Sequence, residues 1–365
     1  MNNPNKMFKI AQIILALFIF ISCTKDEVDT PISEEEDVNF ISAADISQYP
    51  EISNSHPLFY DLNGTEKDFL NILKENGINT IRLKLWVHPN EGHSGFDEVN
   101  DFSKVLKSKG FKIWLSLHYS DTWADPSAQE TPEQWQGISF EALKDSVFNY
   151  TIMVTNEIKP DYIQIGNEIN SGFLFPSGHI SDHYQQFIGL MKMAISAVRS
   201  NSIDTKIILH YAGIEGSERF FDRVSTLDYD IIGLSYYPIW HGKSLNNLKT
   251  KMQDLSEAYH KKVLIAETAY PFTLEWNDWT NNIVGLEEQL ILPEYPATPE
   301  GQATFFKQII SLTKAVQNGI GVCYWGGELI SWKGSQSTEG SSWENQALFD
   351  FHHKALPILK EFNNK

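Results

Sequence analysis

Two glutamates occupy matching positions in the chain, because Glu168 and Glu267 each end a short and mainly apolar run. Short apolar runs with polar flanks are typical of buried strands. Two carboxyl groups can cleave a glycosidic bond when one donates a proton to the leaving oxygen and the other, ionised, attacks the anomeric carbon. One glutamate at a strand end is weak evidence, since many lie at the surface. The pair predicts this chemistry only if the fold brings both together.

The residues near this pair offer groups that would give the two carboxyls different protonation states. Arg82 ends another apolar run and supplies a cation that would keep Glu267 ionised and oriented. Asn167 directly precedes the other carboxyl, where its amide can reach a sugar 2-hydroxyl. Tyr236 and Tyr237 are both candidates to donate a hydrogen bond to Glu267, and the sequence does not decide between them.

The elements that must position these side chains alternate along the chain, with short apolar or β-branched runs followed by longer amphipathic stretches. This alternation predicts repeated βα units and a parallel sheet. Eight such strands close most economically as an α/β fold, the (β/α)8 or TIM barrel, with the active site at the C-terminal ends of the strands. The predicted strands are Phe40–Ile46, Thr80–Trp86, Lys112–His118, Tyr162–Asn167, Lys206–His210, Ile231–Tyr236, Lys262–Glu267 and Ile320–Trp325.

Three of the intervening helices have recognisable ends, namely an opening Thr-Pro-Glu or a terminating glycine. The predicted helices run from Thr65 to Asn76 before Gly77, from Asp97 to Lys109 before Gly110, and from Thr298 to Gly319.

In a barrel the ends of the fourth and seventh strands face each other across the mouth, which predicts the separation of about 5 Å that retaining glycosidases use.

Tryptophan is concentrated in the segments that this barrel places around its mouth. An indole ring stacks on the apolar face of a sugar, and each such contact contributes about 1 kcal/mol. Any single tryptophan is equally well explained by packing of a helix on the barrel, but the one-sided distribution favours a sugar cleft. Nine of the ten tryptophans lie at predicted strand ends or in the following loops: Trp86, Trp123, Trp135, Trp240, Trp276, Trp279, Trp325, Trp332 and Trp343.

Six segments at or near the predicted strand ends form a specific pattern, namely Ala44–Ser47, Ile81–Trp86, His118–Pro126, Gln164–Ile169, Ser235–Pro238 and Glu267–Pro271. They resemble glycoside hydrolase family 53, whose members are endo-β-1,4-galactanases with a (β/α)8 barrel. The stretch His118–Pro126 is the most specific of them, whereas the two glutamates alone would indicate only a larger group of barrel hydrolases. The segments extend from strand one to the end of strand seven, so the resemblance covers the domain.

The resemblance implies retaining, endo-acting hydrolysis of β-1,4-galactosidic bonds in galactan and in the type I arabinogalactan side chains of pectin. It makes Glu168 the acid/base and Glu267 the nucleophile, with no cofactor for the chemistry, and galactan and galacto-oligosaccharides the substrates. The residues expected to bind substrate are Arg82, Trp86, His118, Asp121, Trp123, Asn167, Tyr236, Tyr237, Trp240, His241, Trp325 and Trp332.

One residue departs from the family pattern, since Lys84 stands where the family often has arginine. We expect its side chain to point away from the barrel axis if Arg82 points inward, and its role stays open.

Two other classes of function compete with this interpretation. A cellulase, mannanase or xylanase with the same barrel would share the two glutamates, and a non-catalytic glycan-binding lipoprotein could keep the fold. Against the second stands the full set of Glu168, Glu267, Arg82 and Asn167. A metal-dependent hydrolase is disfavoured because His118 and His210 lie on different strands without an H-x-H pair.

The N-terminus predicts a lipoprotein. Two lysines precede the apolar stretch Ile10–Ile21, which is too short to span a bilayer and leads into Cys23 as in a bacterial lipobox. Residues 1–22 are therefore predicted to be a signal peptide and residues 23–38 an acidic flexible tether, which leaves 39–365 for the catalytic domain. The segment Lys25–Glu27 resembles a signal that directs lipoproteins to the outer face of the outer membrane in Gram-negative bacteria.

The overall charge and the cysteine content restrict the partners. A formal net charge of −18 disfavours nucleic acid and polyanionic substrates and favours a neutral one. Besides Cys23 the only cysteine is Cys323 in an apolar run, so no disulfide is expected. We expect a monomer.

The resemblance also implies a structural calcium in the loop after strand seven. Polar residues alternate there, and Trp279 would contribute its backbone carbonyl. The same pattern fits a solvated, sugar-facing loop, which is the alternative. The predicted ligands are Glu275, Asn277, Trp279 and Asn281, with Glu344 from the loop after strand eight.

Overall fold

A computed structural model describes residues 40–363 of the chain. In this range eight parallel strands pair in sequence order, and the first also pairs with the last, so the sheet closes into a barrel. The predicted fold class is therefore confirmed. The strands are β1 Ile41–Asp45, β2 Thr80–Leu85, β3 Lys112–Leu117, β4 Tyr162–Ile165, β5 Lys206–Ala212, β6 Ile231–Ser235, β7 Lys262–Thr268 and β8 Gly319–Tyr324.

Helices follow the strands and pack on the outside of the barrel, where their apolar faces cover it. The α-helices of the described range are α1 Tyr49–Ser53, α2 Phe69–Glu75, α3 Phe96–Ser108, α4 Phe140–Ile158, α5 Ile180–Asn201, α6 Ser217–Val224, α7 Pro238–His241, α8 Leu245–Tyr259 and α9 Pro299–Lys314. Short 3-10 turns lie at Glu133–Trp135, Glu287–Gln289, Glu344–Gln346 and Pro357–Phe362.

The strands are buried on both faces, because one face fills the barrel and the other packs against helices. All six residues of β2 are buried. Arg82 and Lys84 are two apart and therefore share a face of the strand. Since Arg82 points into the barrel, Lys84 points the same way, and the expectation that it points outward was wrong.

Two of the predicted helix boundaries differ by more than one residue from those in the structure. Helix α2 begins four residues later than predicted, because the side chain of Asp68 caps it by accepting a hydrogen bond from the backbone N–H of Asn71 at 3.0 Å. Helix α9 begins as predicted after Thr298, whose hydroxyl accepts from the N–H of Gly301 at 3.0 Å. It ends at Lys314, before the predicted stop, and Gly319 opens β8.

Long loops after β7 and β8 form one side of the barrel mouth and are bonded to each other. The backbone N–H of Trp279 donates to the carbonyl of Ser337, and that of Ile283 donates to the carbonyl of Ser342, both at 2.9 Å. These bonds make the two loops a single wall beside the strand ends.

The N-terminal predictions, namely the signal peptide, the lipidated Cys23 and the tether, lie outside the described residues. Within residues 40–363, no helix has both the length and the apolar character that crossing a bilayer requires.

Candidate active site

Glu168 is held by a tight turn that follows β4. The backbone is left-handed at Gly166, with φ 76°, and again at Glu168, with φ 47°. A Cβ atom at position 166 would lie 2.4 Å from Cγ2 of Ile169, so only glycine fits there. A left-handed glutamate is costly and persists where surrounding contacts impose it, which is common at active sites.

The carboxyl groups of Glu168 and Glu267 lie close together at the barrel mouth. One oxygen of each lies within 4.8 Å of the other, and a ring nitrogen of His210 lies within the same distance of both. Retaining glycosidases place their carboxyls about 5–5.5 Å apart, whereas inverting enzymes need about 6.5–9.5 Å to admit a water molecule. The separation therefore fits retention of configuration.

Arg82 links the carboxylate of Glu267 to that of Asp45 inside the barrel. Its Nη2 lies 2.8 Å from Oε1 of Glu267, and its Nη1 lies 2.7 Å from Oδ2 of Asp45. Nη2 also donates to Oδ1 of Asn167 at 2.8 Å. These bonds fix the guanidinium between two carboxylates, so a positive charge faces Glu267 in a site that excludes most water.

The choice between the two adjacent tyrosines is resolved by the direction of their side chains. The hydroxyl of Tyr237 donates to Oε2 of Glu267 at 3.0 Å. The hydroxyl of Tyr236 points to the opposite side and donates to the carbonyl of Gly242 at 2.7 Å. Neighbouring residues of an extended chain point in opposite directions, so only one of the two can reach the site.

Burial raises the pKa of both carboxyls, and the neighbouring charges make the two pKa values differ. The pKa of Glu168 rises to about 8, because the group is desolvated and faces the negative charge of Glu267. Burial also raises the pKa of Glu267, but the attraction of Arg82 opposes that rise. At neutral pH Glu168 therefore holds a proton and Glu267 is the ionised partner.

A chain of hydrogen bonds determines which oxygen of Glu168 carries this proton. The backbone N–H of Glu168 and the amide of Gln164 both point at Nδ1 of His210, at 3.4 and 3.1 Å. Burial lowers the pKa of His210 well below its usual range, so the ring is neutral. Nδ1 faces these two donors and one acceptor, Oδ1 of Asn167 at 3.1 Å, which favours the tautomer with the proton on Nε2. Nε2 donates to Oγ of Ser235 at 2.8 Å, and the Ser235 hydroxyl donates to Oε1 of Glu168 at 2.5 Å. The acid proton is therefore on Oε2.

A cavity of about 570 Å³ opens above the two carboxyls. Aromatic rings form much of its wall, and the rings of Trp325 and Trp343 lie 4.6 Å apart at their centroids. Trp123 and Trp240 are 40% and 53% exposed, which leaves indole faces free for a sugar ring. Its lining also includes Asp45, Arg82, Lys84, His118, Ala124, Asp125, Pro126, Ser127, Asn167, Glu168, Ala212, Tyr237, His241 and Glu267.

Comparison with known families gives a match over nearly the whole barrel. The model described as glycosyl hydrolase family 53 matches residues 41–362. The chain belongs to glycosyl hydrolase family 53.

Curated relatives and solved structures agree with this family membership. An endo-β-1,4-galactanase of Bacillus subtilis is 30% identical over 89% of this chain and 85% of its own. An arabinogalactan endo-β-1,4-galactanase of Cellvibrio japonicus is 33% identical over 88% of this chain and 90% of its own. The solved family 53 catalytic domain of Ignisphaera aggregans superimposes with a TM-score of 0.83 at 39% identity, covering 90% of this chain and 97% of that one.

The structure brings most of the predicted site residues of this family 53 chain to the cavity. Besides the two glutamates, the predicted contacts that line the cavity are Arg82, His118, Trp123, Asn167, Tyr237, Trp240, His241 and Trp325.

Four residues predicted to bind substrate lie outside the cavity. Tyr236 braces the loop at Gly242, as described above. Asp121 joins two loops, since its carboxylate accepts from the backbone N–H groups of His88 and Glu133 at 2.9 and 2.8 Å. Trp332 is half-buried against the core. Trp86 donates to Nδ1 of His118 at 3.2 Å and borders a neighbouring cavity instead.

Several residues at the family 53 site were not predicted from the sequence. Asp45 is the last residue of β1 and pairs with Arg82, and its place at a strand end was the available signal. Ser235 is two residues before Tyr237, which places both on the same face of β6 and its extension. Trp343 was noted among the loop tryptophans but was not expected to contact substrate. Gln164 bonds to Arg82 and His210 and gave no signal of its own.

The residues predicted to bind calcium are only partly brought together. Glu344 is buried, and its Oε1 accepts from the backbone N–H groups of Asn277 and Asp278 at 2.6 and 3.2 Å. Its Oε2 is buried without a hydrogen-bond partner. Glu275 and Asn281 are exposed. Within residues 40–363, the one group of three or more acidic, histidine or cysteine side chains close enough to share a metal is Glu168, His210 and Glu267, which belong to the active site.

Proposed function

We propose that this chain hydrolyses internal β-1,4-galactosidic bonds of galactan and of arabinogalactan with retention of configuration. The observation that carries the proposal is the pair Glu168 and Glu267, which lie within 4.8 Å of each other while Arg82 is bonded to Glu267 alone. The names of the galactanase relatives from Bacillus subtilis and Cellvibrio japonicus support the choice of substrate.

In the first step the glycosidic bond breaks. Glu168 donates the proton on Oε2 to the leaving oxygen, which takes the electron pair of the broken bond. Glu267 attacks the anomeric carbon from the opposite face and forms a covalent glycosyl–enzyme ester. Arg82 and Tyr237 hold the attacking carboxylate in place, which contributes by orientation.

In the second step water replaces the enzyme at the anomeric carbon. Esterification removes the negative charge of Glu267, which is one of the causes that raise the pKa of Glu168. The pKa of Glu168 therefore falls, and its carboxylate accepts a proton from the attacking water. Two inversions at one carbon give net retention.

A neutral, ring-stacking polymer suits the cavity and the charge of the chain. Trp123, Trp240, Trp325 and Trp343 offer indole faces, and galactose has one apolar face left open by its axial hydroxyl. The net charge of −18 disfavours polyanions. All of these groups come from one chain, which supports a monomeric enzyme.

The test is a substrate panel of potato galactan, xylan, mannan and carboxymethylcellulose. We expect new reducing ends from galactan, with a rapid fall in polymer length that marks internal cleavage. Preferential hydrolysis of xylan, mannan or carboxymethylcellulose would instead identify the enzyme as a xylanase, mannanase or cellulase. Binding of galactan without any hydrolysis would favour a glycan-binding lipoprotein.

We further propose that the enzyme is a lipoprotein anchored at Cys23 in the outer membrane and facing the cell surface. The support is the lysine-flanked apolar stretch before Cys23 and the Lys25–Glu27 segment after it. Cys23→Ser should release the protein from the membrane fraction, because acyl chains provide the anchor. A mutant that remains with the outer membrane would contradict the proposal, and protease treatment of intact cells tests surface exposure.

We also propose a stabilising calcium between the loops after β7 and β8. The support is Glu344, whose buried Oε2 has no hydrogen-bond partner, and the pKa of its carboxyl is raised by burial and by the neighbouring charge of Asp278. A bound ion would stabilise the native state by mass action. Chelation should lower the melting temperature and added calcium should restore it. An unchanged melting curve, with no calcium by elemental analysis, would remove the site.

A further inference from the structure

A second cavity lies next to the catalytic one, and Lys84 lines both. We call it the side cavity. It measures about 390 Å³ and is formed by the segments after β1, β2 and β3, with Lys333 from the loop after β8. Trp86 contributes an aromatic surface to it, and polar side chains such as Glu51 and Asn90 contribute hydrogen-bonding groups. Most of its lining is polar or charged, so the side cavity can offer one ring surface and several hydrogen-bonding groups to a hydroxylated ligand.

Lys84 lies at the boundary of the two cavities, where its ammonium group contacts two indole rings but no hydrogen-bond acceptor of the described residues. Its side chain is 3% exposed. Its Nζ lies 4.0 Å from the ring centroid of Trp123 in the catalytic cavity and 4.9 Å from that of Trp86 in the side cavity. Among the described residues, no hydrogen-bond acceptor bonds to Nζ and no carboxylate lies within 4.0 Å of it.

Two opposing effects act on the pKa of the Lys84 amine, which is a hydrogen-bond donor in either protonation state. Burial lowers its pKa to about 8, while the charges of Asp45 and Glu328 oppose that fall. Asp45 is already bonded to Arg82. Because Nζ has no hydrogen-bond partner and yet is not among the fully buried unpartnered atoms of the described residues, solvent reaches it from the cavities. Its N–H donors therefore face the two cavities, where a ligand hydroxyl can replace water as their acceptor.

We propose that the side cavity is a sugar-binding subsite, in which Lys84 Nζ donates a hydrogen bond to a hydroxyl oxygen of a neutral sugar unit of the substrate and Trp86 contacts its ring. This inference rests on the proposed function, since it concerns a unit of the same polysaccharide. The unit is either a backbone galactosyl residue beyond the cleaved bond or a sugar branch attached to the backbone. Both present the same hydroxyl groups, and substrate length and branching distinguish them.

Two substitutions test the proposal, each with a matched control. Lys84→Met removes the donor at nearly constant side-chain length, and Lys112→Met is its control. Lys112 also lies over an aromatic ring, 6.0 Å from that of Tyr162, but at the start of β3 on the opposite end of the barrel. Asn90→Trp adds bulk to the side cavity without touching the lining of the catalytic cavity. Its control is Asn201→Trp, at the exposed end of α5.

The measurement is kcat/KM on unbranched galacto-oligosaccharides of increasing length, and on galactan before and after enzymatic removal of its branches. We expect Lys84→Met to lower kcat/KM at least about tenfold, mainly through KM, because a hydrogen bond from a charged donor commonly contributes that much. Lys84→Arg restores donors and should recover part of the loss. Asn90→Trp should act in the same direction, and both controls should match the wild type.

The substrates then separate the two sources of the sugar. Losses confined to long unbranched oligosaccharides would assign the subsite to the backbone, and losses confined to branched galactan would assign it to a branch. An Asn90→Trp enzyme with wild-type kcat/KM on every substrate would overturn the inference while leaving the proposed function intact. Wild-type protein that fails to cleave galactan at all would overturn the proposed function instead.

Discussion

The hydroxyl of Ser235 lies 2.5 Å from Oε1 of Glu168 and receives a hydrogen bond from Nε2 of His210. The neutral ring of His210 has its only proton on Nε2, so the Ser235 proton is directed at Glu168. This bond stabilises the ionised form of the carboxyl and opposes the rise in its pKa. Ser235 is therefore a positioning residue that limits how weak an acid Glu168 becomes.

Replacing Ser235 by alanine should move the alkaline limb of the pH profile. Ser235→Ala removes a bond that lowers the pKa of Glu168, so that pKa rises and the protonated acid persists to higher pH. Deprotonation of Glu168 in the second step becomes harder, so kcat should fall. Ser235→Thr keeps a hydroxyl and should retain the original limb. An alanine variant with the wild-type pH profile of kcat/KM would contradict the hydrogen-bond chain.

The charge of Glu267 should control the acid strength of Glu168. In the wild type, kcat/KM should fall as pH rises through about 8, because Glu168 must be protonated to act as the acid. Glu267→Gln removes the facing negative charge and should lower the pKa of Glu168. A ¹³C NMR titration of labelled glutamate carboxyls in both proteins measures this shift. An unchanged or higher pKa of Glu168 in the variant would refute the electrostatic coupling.

Removal of either carboxyl should abolish most hydrolysis without unfolding the barrel. Glu168→Ala and Glu267→Ala should each lower kcat at least ~10²-fold, since general acid–base catalysis alone contributes about 10²–10⁴. Glu257→Ala, on the exposed surface of α8, is the control. Azide should partly rescue Glu267→Ala by attacking the anomeric carbon and should give a galactosyl azide of inverted configuration. The same inverted product from Glu168→Ala would mean that the two roles are exchanged.

Arg82 should matter for both stability and the acid limb of the pH profile. Arg82→Met leaves Asp45 and Glu267 buried without their cation, and breaking a buried ion pair costs about 3–5 kcal/mol of unfolding free energy. Arg82 opposes the rise in the pKa of Glu267, so without it that pKa is higher. Glu267 must be ionised to attack, hence the acid limb should shift to higher pH. Urea unfolding and the pH profile of kcat/KM measure the two effects, and a stable variant with an unshifted limb would contradict this role.

The sequence predicts the barrel and the facing pair of glutamates because both follow from periodicity. The predicted fourth strand ends at Asn167, two residues after the end of β4. The predicted seventh strand ends at Glu267, one residue before the end of β7. Bonds between side chains on distant strands leave no such pattern. The pairing of Ser235 with Glu168 depends on the left-handed turn after β4, which residue order alone does not give.

The predictions that failed for individual side chains also failed because sequence pattern does not show which atoms meet in three dimensions. The prediction of an outward side chain for Lys84 neglects its spacing of two residues from Arg82, because strand alternation places both side chains inside the barrel. Asp121 belongs to a motif that suggests substrate contact, yet two backbone N–H groups occupy its carboxylate. The loop around Glu344 has the polar composition of a calcium site, but composition does not show which oxygens converge.

The most direct test of retaining galactan hydrolysis is the configuration of the first product. Proton NMR during the first minutes of galactan cleavage by the wild-type enzyme resolves α and β reducing ends before mutarotation equilibrates them. The short distance between Glu168 and Glu267 predicts that β reducing ends appear first and α ends accumulate later. Initial formation of α reducing ends would contradict the double displacement and the nucleophilic role of Glu267.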